Sequence, residues 1–196
     1  MSETQESMRV KQMLKVQEEA KNADSYNFEG EDAIENFFYS NDPEIFIKAI
    51  DKLLSLGEKM TTLTTITKTN IDIELSNNKE LRELLIDIHS FTILIIALYE
   101  ITDNEMQDNP FILFNKYEET QRKTLEIFKK KNADYGDSFA IYGTIGVIVR
   151  MGDKFLRIKS LIKKKDYKGN VLEESLVDTL LDLINYAAMA VMLLDE

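Results

Sequence analysis

The residues with the clearest chemical potential lie on the last predicted helix, where acidic side chains recur one turn apart. Glu174, Asp178 and Asp182 are followed by Asn185. On an α-helix these four side chains share a stripe roughly 80° wide. Like charges at i,i+4 destabilise a helix by roughly 0.2–0.5 kcal/mol per pair, and residues 171–196 contain no Lys or Arg that could offset the repulsion. The stripe therefore predicts a cationic partner from another part of the molecule.

The helix predicted at about 142–165 carries such cations. Arg150, Lys154 and Arg157 share one face, and Asp153 lies beside them. In an antiparallel hairpin this face can meet the acidic stripe, and two interpretations are open. One is a ladder of interhelical salt bridges. The other is a Mg²⁺ site, because Mg²⁺ favours carboxylate, water and phosphate oxygens. In the second interpretation the metal lies among Asp153, Glu174 and Asp178, assisted by Asp182 or Asn185, and the three basic side chains hold phosphate.

A third cluster, Lys131-Asn-Ala-Asp134-Tyr135-Gly136-Asp137-Ser138, precedes both. Gly136 can adopt a positive φ where a helix ends, and Asp137 or Ser138 can cap the next helix. A plain helix terminus explains the glycine. It does not explain the neighbouring Lys131, Asp134 and Tyr135, for which the sharper interpretation is a base stacked on Tyr135 and a phosphate bound by Lys131.

Composition excludes several classes of function. The net charge of −11 argues against binding a nucleic acid polymer, which needs a basic surface. Zero cysteines exclude thiol nucleophiles and Cys-type zinc sites. The single histidine, His89, lies in a strongly apolar helix and is predicted to be a core or seam residue.

The N-terminus lacks a secretory pattern, and the apolar run at 91–99 is too short to span a bilayer. We expect a cytoplasmic protein, in the host cytoplasm if the source is viral.

The fold class follows from periodicity. Two prolines, seven glycines and long stretches of period near 3.6 predict an all-α protein. Residues 81–91 resemble residues 176–186, which indicates a pseudo-duplicated four-helix core of two αα-hairpins with additional N-terminal helices, or a chance likeness of amphipathic hairpins. We expect a region 1–109 and a region 110–196, packed as one unit. Helices are predicted at about 6–23, 29–39, 43–60, 78–101, 111–131, 142–165 and 171–194, with residues 61–76 open between helix, loop and strand.

Taken together, the three clusters resemble the nucleotide-modification-associated domain of the first type, which occurs in phages and bacteria. That domain is similar to the all-α NTP pyrophosphatases, the superfamily of MazG-like proteins and dimeric dUTPases. The resemblance covers about residues 111–194. It implies a helical bundle, dependence on Mg²⁺ (or Mn²⁺), a nucleotide ligand and a homo-oligomer, either a dimer or a tetramer.

The function that the resemblance implies is a Mg²⁺-dependent nucleotide pyrophosphohydrolase acting on a (deoxy)nucleoside polyphosphate. The alternative is a non-catalytic nucleotide-binding protein, a sensor or a viral sequestering protein, with the same pocket. Relatives of the MazG type usually carry a second glutamate one turn along the first helix, where this chain has Arg157, so one anionic ligand is missing and hydrolysis is less well supported than binding.

The expected metal ligands are Asp153, Glu174, Asp178 and Asp182. Glu174 or Asp182 is expected to orient the attacking water. Phosphate contacts are assigned to Lys131, Arg150, Lys154 and Arg157, and base or sugar contacts to Asp134, Tyr135, Asn185 and Tyr186.

Overall fold

The computed structural model describes residues 3–21, 45–69, 79–101, 112–135, 137–163 and 174–196. Within these ranges the chain is helical almost throughout and contains no strand, so the predicted all-α class is confirmed. The helices are α1 (Glu3–Lys21), α2 (Ile45–Thr69), α3 (Lys79–Tyr99), α4 (Ile112–Tyr135), α5 (Ser138–Lys163) and α6 (Glu174–Leu194).

Two helices, α3 and α6, form the centre of the bundle. Every residue from 84 to 98 of α3 is buried, including the polar side chains of Asp87, His89, Ser90 and Thr92. α3 packs against α2 and α6, and α6 packs against α5, so two consecutive pairs, α2–α3 and α5–α6, meet through α3 and α6. α1 and α4 pack against each other and against both central helices. The predicted bundle of two helix pairs with additional helices is therefore present.

α6 has the length and composition of a membrane span, with a mean hydropathy of 1.6 over residues 176–194. A buried position in the bundle explains this apolar composition equally well, because 61% of that stretch is buried inside the protein. Apolar residues of α6 such as Leu180, Leu183 and Ile184 are buried in the core.

Three helices differ from their predicted bounds by four residues or more. α4 ends at Tyr135 rather than near Lys131. α5 begins at Ser138 rather than near Tyr142, and it bends at Gly143, whose φ of 63° is accessible mainly to glycine. α2 continues to Thr69, so residues 61–69 of the undecided segment are helical. Thr61 and Thr64 donate hydrogen bonds to the carbonyl oxygens of Gly57 and Met60, both at 2.9 Å, which satisfies their hydroxyls inside the helix. The rest of that segment and the helix predicted at 29–39 lie outside the described residues.

α1 is fastened to the C-terminal half by a buried arginine. The Arg9 guanidinium donates two hydrogen bonds of 2.8 Å to the carboxylate of Asp137, just before α5, and it also pairs with Glu196. Only 4% of the Arg9 side chain is exposed. A second arginine, Arg82 on α3, bonds Asp195 at 2.5 and 2.9 Å. These contacts fix both ends of the region 137–196 against the N-terminal helices.

Candidate functional site

Side chains from two helices, α4 and α5, bind one carboxylate on a third helix, α6. Asp182 on α6 accepts a hydrogen bond of 2.5 Å from the Lys131 ammonium on α4 and one of 2.7 Å from the Lys154 ammonium on α5. Each lysine contacts a different carboxylate oxygen. We refer to Lys131, Lys154 and Asp182 as the lysine–aspartate junction. The cationic partner that the acidic stripe requires is therefore supplied by two helices at once, at Asp182.

The junction is only partly shielded from solvent. The side chains of Lys131, Lys154 and Asp182 are 48%, 22% and 27% exposed. Burial raises the pKa of Asp182, but the hydrogen bonds and charges of the two lysines lower it by more than burial raises it. The pKa of Asp182 therefore lies below that of an ordinary aspartate. Asp182 is consequently ionised at neutral pH. Two ammonium groups and one carboxylate leave the junction with an excess positive charge, although the chain as a whole is acidic.

An aromatic ring adjoins the junction. The Lys154 ammonium lies 5.9 Å from the centre of the Tyr186 ring, a cation–π arrangement. Tyr186 follows Asp182 by one turn of α6 and is half-buried. One predicted phosphate-binding residue and one predicted base-binding residue are therefore neighbours, and both belong to the same exposed edge of the α5–α6 contact.

Asn185 lies on the same helix but deeper. Its side chain is 3% exposed, and neither its amide nitrogen nor its amide oxygen has a hydrogen-bond partner within the described part of the chain. An unsatisfied buried polar group costs about 1–3 kcal/mol, so such groups are uncommon in native proteins. Among the described base- or sugar-binding candidates, Asn185 is thus the one whose burial itself needs an explanation.

His89 is buried in the contact between α3 and α6, as predicted. Its Nδ1 lies 3.0 Å from the carbonyl oxygen of Ile184, so this nitrogen carries the proton and donates it to the carbonyl. Burial lowers the pKa of His89 to about 4, against the opposing influence of that hydrogen bond. The ring is therefore neutral at physiological pH and belongs to the core.

Only one member of the predicted basic face reaches the acidic stripe. Arg150 and Asp153 are 69% and 62% exposed and contact each other loosely, at 3.9 Å, while Arg157 is also exposed. Lys154 lies about 40° nearer than Arg150 to the buried side of α5, which is why Lys154 meets α6 and the two arginines do not. The structure brings Lys131, Lys154, Asp182 and Tyr186 together and leaves Arg150, Asp153 and Arg157 on the open face of α5.

The predicted metal ligands do not form a ready-made site among the described residues. Both carboxylate oxygens of Asp182 already bind lysines, and Asp153 pairs with Arg150. Asp178 is exposed. No group of three or more acidic or histidine side chains that could hold a metal ion occurs in the described ranges. The Glu174 side chain lies outside them, so the four-carboxylate site stays a prediction.

The base-binding assignments near the end of α4 are covered only in part. Asp134 is exposed in the last turn of α4, and the side chain of Tyr135 is outside the described residues, as is Gly136. Sequence reasoning gave Asp137 a capping role and missed its bond to Arg9. No local signal could have revealed that pair, since the two residues are 128 positions apart.

The lysine–aspartate junction and Tyr186 all fall inside one recognisable segment. Residues 131–194 match the family described as nucleotide modification associated domain 1. The match begins later than the start near residue 111 that the resemblance predicted, and the relationship to the wider superfamily of all-α NTP pyrophosphatases stays a prediction. No curated protein and no solved structure matches the chain. The matched segment thus includes the end of α4 together with α5 and α6, and Arg9 lies outside it.

Proposed function

We propose that the protein binds a nucleoside polyphosphate at the lysine–aspartate junction, with the ammonium groups of Lys131 and Lys154 on phosphate oxygens. One observation carries the proposal: two lysines from different helices converge on a single carboxylate within the segment that matches a nucleotide-associated family. Asp182 is the anion that both lysines contact. A polyphosphate carries more negative charge and more acceptor oxygens than one carboxylate, so it can displace Asp182 or share the lysines with it.

The remaining contacts follow from the positions of the neighbouring side chains. Tyr186 presents a ring beside Lys154 on which a base or sugar can pack. Asn185, the preceding residue of α6, has a buried amide without a hydrogen-bond partner in the described part of the chain, and Asp134 lies one turn beyond Lys131. Arg150 and Arg157 would reach only a phosphate chain that extends over the open face of α5. Their part in phosphate binding is therefore secondary in this proposal.

The second candidate is Mg²⁺-dependent pyrophosphohydrolysis of the same ligand. The observation that favours it is the carboxylate row on α6, where Glu174 and Asp178 precede Asp182 at one-turn spacing. Mg²⁺ or Mn²⁺ often takes one or two protein carboxylates together with water and substrate phosphates, so the nucleotide would supply much of the coordination. Asp153 and Glu174 complete the proposed donor set, and Glu174 or Asp182 is the proposed base. Since the described carboxylates do not form a metal site by themselves, the geometry favours binding over hydrolysis.

Nucleotide-induced thermal stabilisation tests the binding proposal. The pure protein is screened against nucleoside mono-, di- and triphosphates, with and without Mg²⁺, and so are Lys131→Met, Lys154→Met and a control, Lys129→Met. Lys129 is the matched control because it lies on α4 and pairs with Glu126 of the same helix. We expect the melting temperature to rise with polyphosphates in the wild type and the control but not in the two junction variants. An equal rise in all four proteins would rule out the junction as the binding site.

Product analysis separates the two candidates. The same nucleotides are incubated with protein and Mg²⁺ or Mn²⁺, and pyrophosphate is measured. Release of pyrophosphate that disappears in Asp178→Asn would establish the hydrolase, whereas saturable binding without product would establish the binding protein.

A further inference from the structure

The open face of α5 carries a concentrated row of apolar side chains. Nine large hydrophobic residues are exposed in the described part of the chain, and five of them lie on α5. Ile145, Val149 and Leu156 are 50%, 49% and 69% exposed, and Ile141 and Tyr142, ahead of the bend at Gly143, are 82% and 75% exposed. Single exposed hydrophobic residues are ordinary, but a contiguous row of them marks an interaction surface.

The row has the spacing of a helix–helix seam. Ile145, Val149, Gly152 and Leu156 follow one another at intervals of four, three and four residues and lie within roughly 60° on the helix surface. We call these four residues the α5 seam. The opposite face of α5 is already buried in the core, through residues such as Met151, Phe155 and Ile158. α5 is therefore apolar on two sides, and only one side is used within the described fold.

We propose that the α5 seam binds the α5 seam of a second copy of this chain, with the two helices antiparallel about a two-fold axis. The seam is complementary to itself when reversed. An axis passing between Arg150 and Met151 sets Ile145 opposite Leu156 of the second copy and Val149 opposite its Gly152. A Cβ added at Gly152 would meet nothing within 4 Å, so the glycine leaves open space in which the facing valine packs. Paired helices approach to about 8–10 Å, and a small residue facing a larger one fits that distance.

Charges beside the seam favour the same orientation. Arg150, Asp153 and Arg157 lie on one flank of the seam, and a two-fold axis brings this flank against the same flank of the second copy. With the register given above, Asp153 of each copy is close to Arg150 of the other, which gives two reciprocal ion pairs. Parallel helices would set this flank on opposite sides of the seam in the two copies, so Arg150 and Asp153 could not pair across it. The loose 3.9 Å contact between Arg150 and Asp153 within one chain leaves both side chains able to change partner.

Mass measurement tests the assembly. Sedimentation velocity over a concentration series is run on the wild type, on the double variant Val149→Glu/Leu156→Glu, and on Ile47→Glu. Ile47, on α2, is the control because it is an exposed apolar residue outside the seam. We expect a dimer for the wild type and the control, and a monomer for the double variant, whose far-ultraviolet circular dichroism stays unchanged because the substituted positions are exposed. A wild type that is monomeric throughout, or a double variant that still dimerises, would overturn the proposal.

Crosslinking tests the orientation independently, since the chain has no cysteine of its own. Ile145→Cys and Leu156→Cys are treated with a short bifunctional thiol reagent, separately and as an equal mixture. Antiparallel pairing predicts a crosslinked dimer in the mixture and little in either variant alone, because equivalent positions are about 16 Å apart along the helix axis. Efficient crosslinking of each variant alone would contradict the antiparallel arrangement.

Discussion

Lys131 and Asp182 are 51 residues apart in the sequence, yet their ammonium and carboxylate groups are 2.5 Å apart across the contact between α4 and α6. Lys154 completes the arrangement from α5. A partly exposed ion pair of this kind contributes little to folding stability, typically about 0–1 kcal/mol. Its significance is chemical, because two cations are held close together by a single anion that a stronger anionic ligand can displace.

Asp182→Asn tests whether the carboxylate competes with phosphate. The amide keeps the shape of the side chain but removes the charge that the lysines now neutralise. We expect tighter binding of nucleoside triphosphate, measured by calorimetry without metal, and at most a small change in stability. Asp178→Asn is the control, because it makes the same charge change one turn earlier on α6. Weaker binding in Asp182→Asn would contradict the competition and would instead favour a direct or metal-mediated contact by Asp182.

Tyr186→Leu tests whether the ring recognises the base. Stacking of a base on an aromatic side chain contributes roughly 1–3 kcal/mol, which corresponds to about a fivefold to more than a hundredfold change in affinity. We expect a loss in this range for nucleoside triphosphates and no loss for inorganic triphosphate, which has no base. The two ligands are compared on the same variant by calorimetry. If affinity for both falls equally, Tyr186 acts by positioning Lys154 rather than by stacking.

His89 makes stability depend on pH. Its pKa is about 4 in the folded protein and about 6.5 when unfolded, so the unfolded chain binds more protons between these values. The contribution of the neutral His89 ring to the free energy of unfolding is fully present above about pH 6.5 and is lost as the pH falls toward 4. Linkage predicts a loss of about 2–3 kcal/mol at pH 4.5 relative to pH 7. Urea unfolding at both pH values checks this, with His89→Gln, which cannot charge, as reference. Parallel losses in both proteins would show that carboxylates, not His89, dominate acid sensitivity.

Periodicity and composition were sufficient to predict the helical class, most helix bounds and the burial of His89, because these depend on residues close together in the chain. The contacts of the site depend on how helices pack. Helix geometry could place Lys154 beside the acidic stripe, but it could not separate Lys154 from Arg150, which lies only about 40° away on the same helix. The pairing of Lys131 with Asp182 needed the side-by-side placement of α4 and α6, for which the sequence contains no local signal. Whether Glu174 joins the site stays a prediction.

Arg9 connects the N-terminal helix to the segment 131–194, which matches the nucleotide modification associated family, and its removal is expected to destabilise the whole bundle. Arg9→Met leaves the carboxylate of Asp137, only 13% exposed, without its bidentate partner. Breaking a fully buried ion pair from one side costs about 3–5 kcal/mol, and for this partly buried pair we expect a loss between that range and the value of an exposed pair, about 1–3 kcal/mol. Lys15→Met is the matched control, because Lys15 lies on the same helix and also pairs with a C-terminal carboxylate but is 63% exposed, so its loss is expected to cost less than about 1 kcal/mol. Urea unfolding monitored by circular dichroism measures both changes. Similar small losses in the two variants would mean that α1 does not stabilise the start of α5 through Asp137.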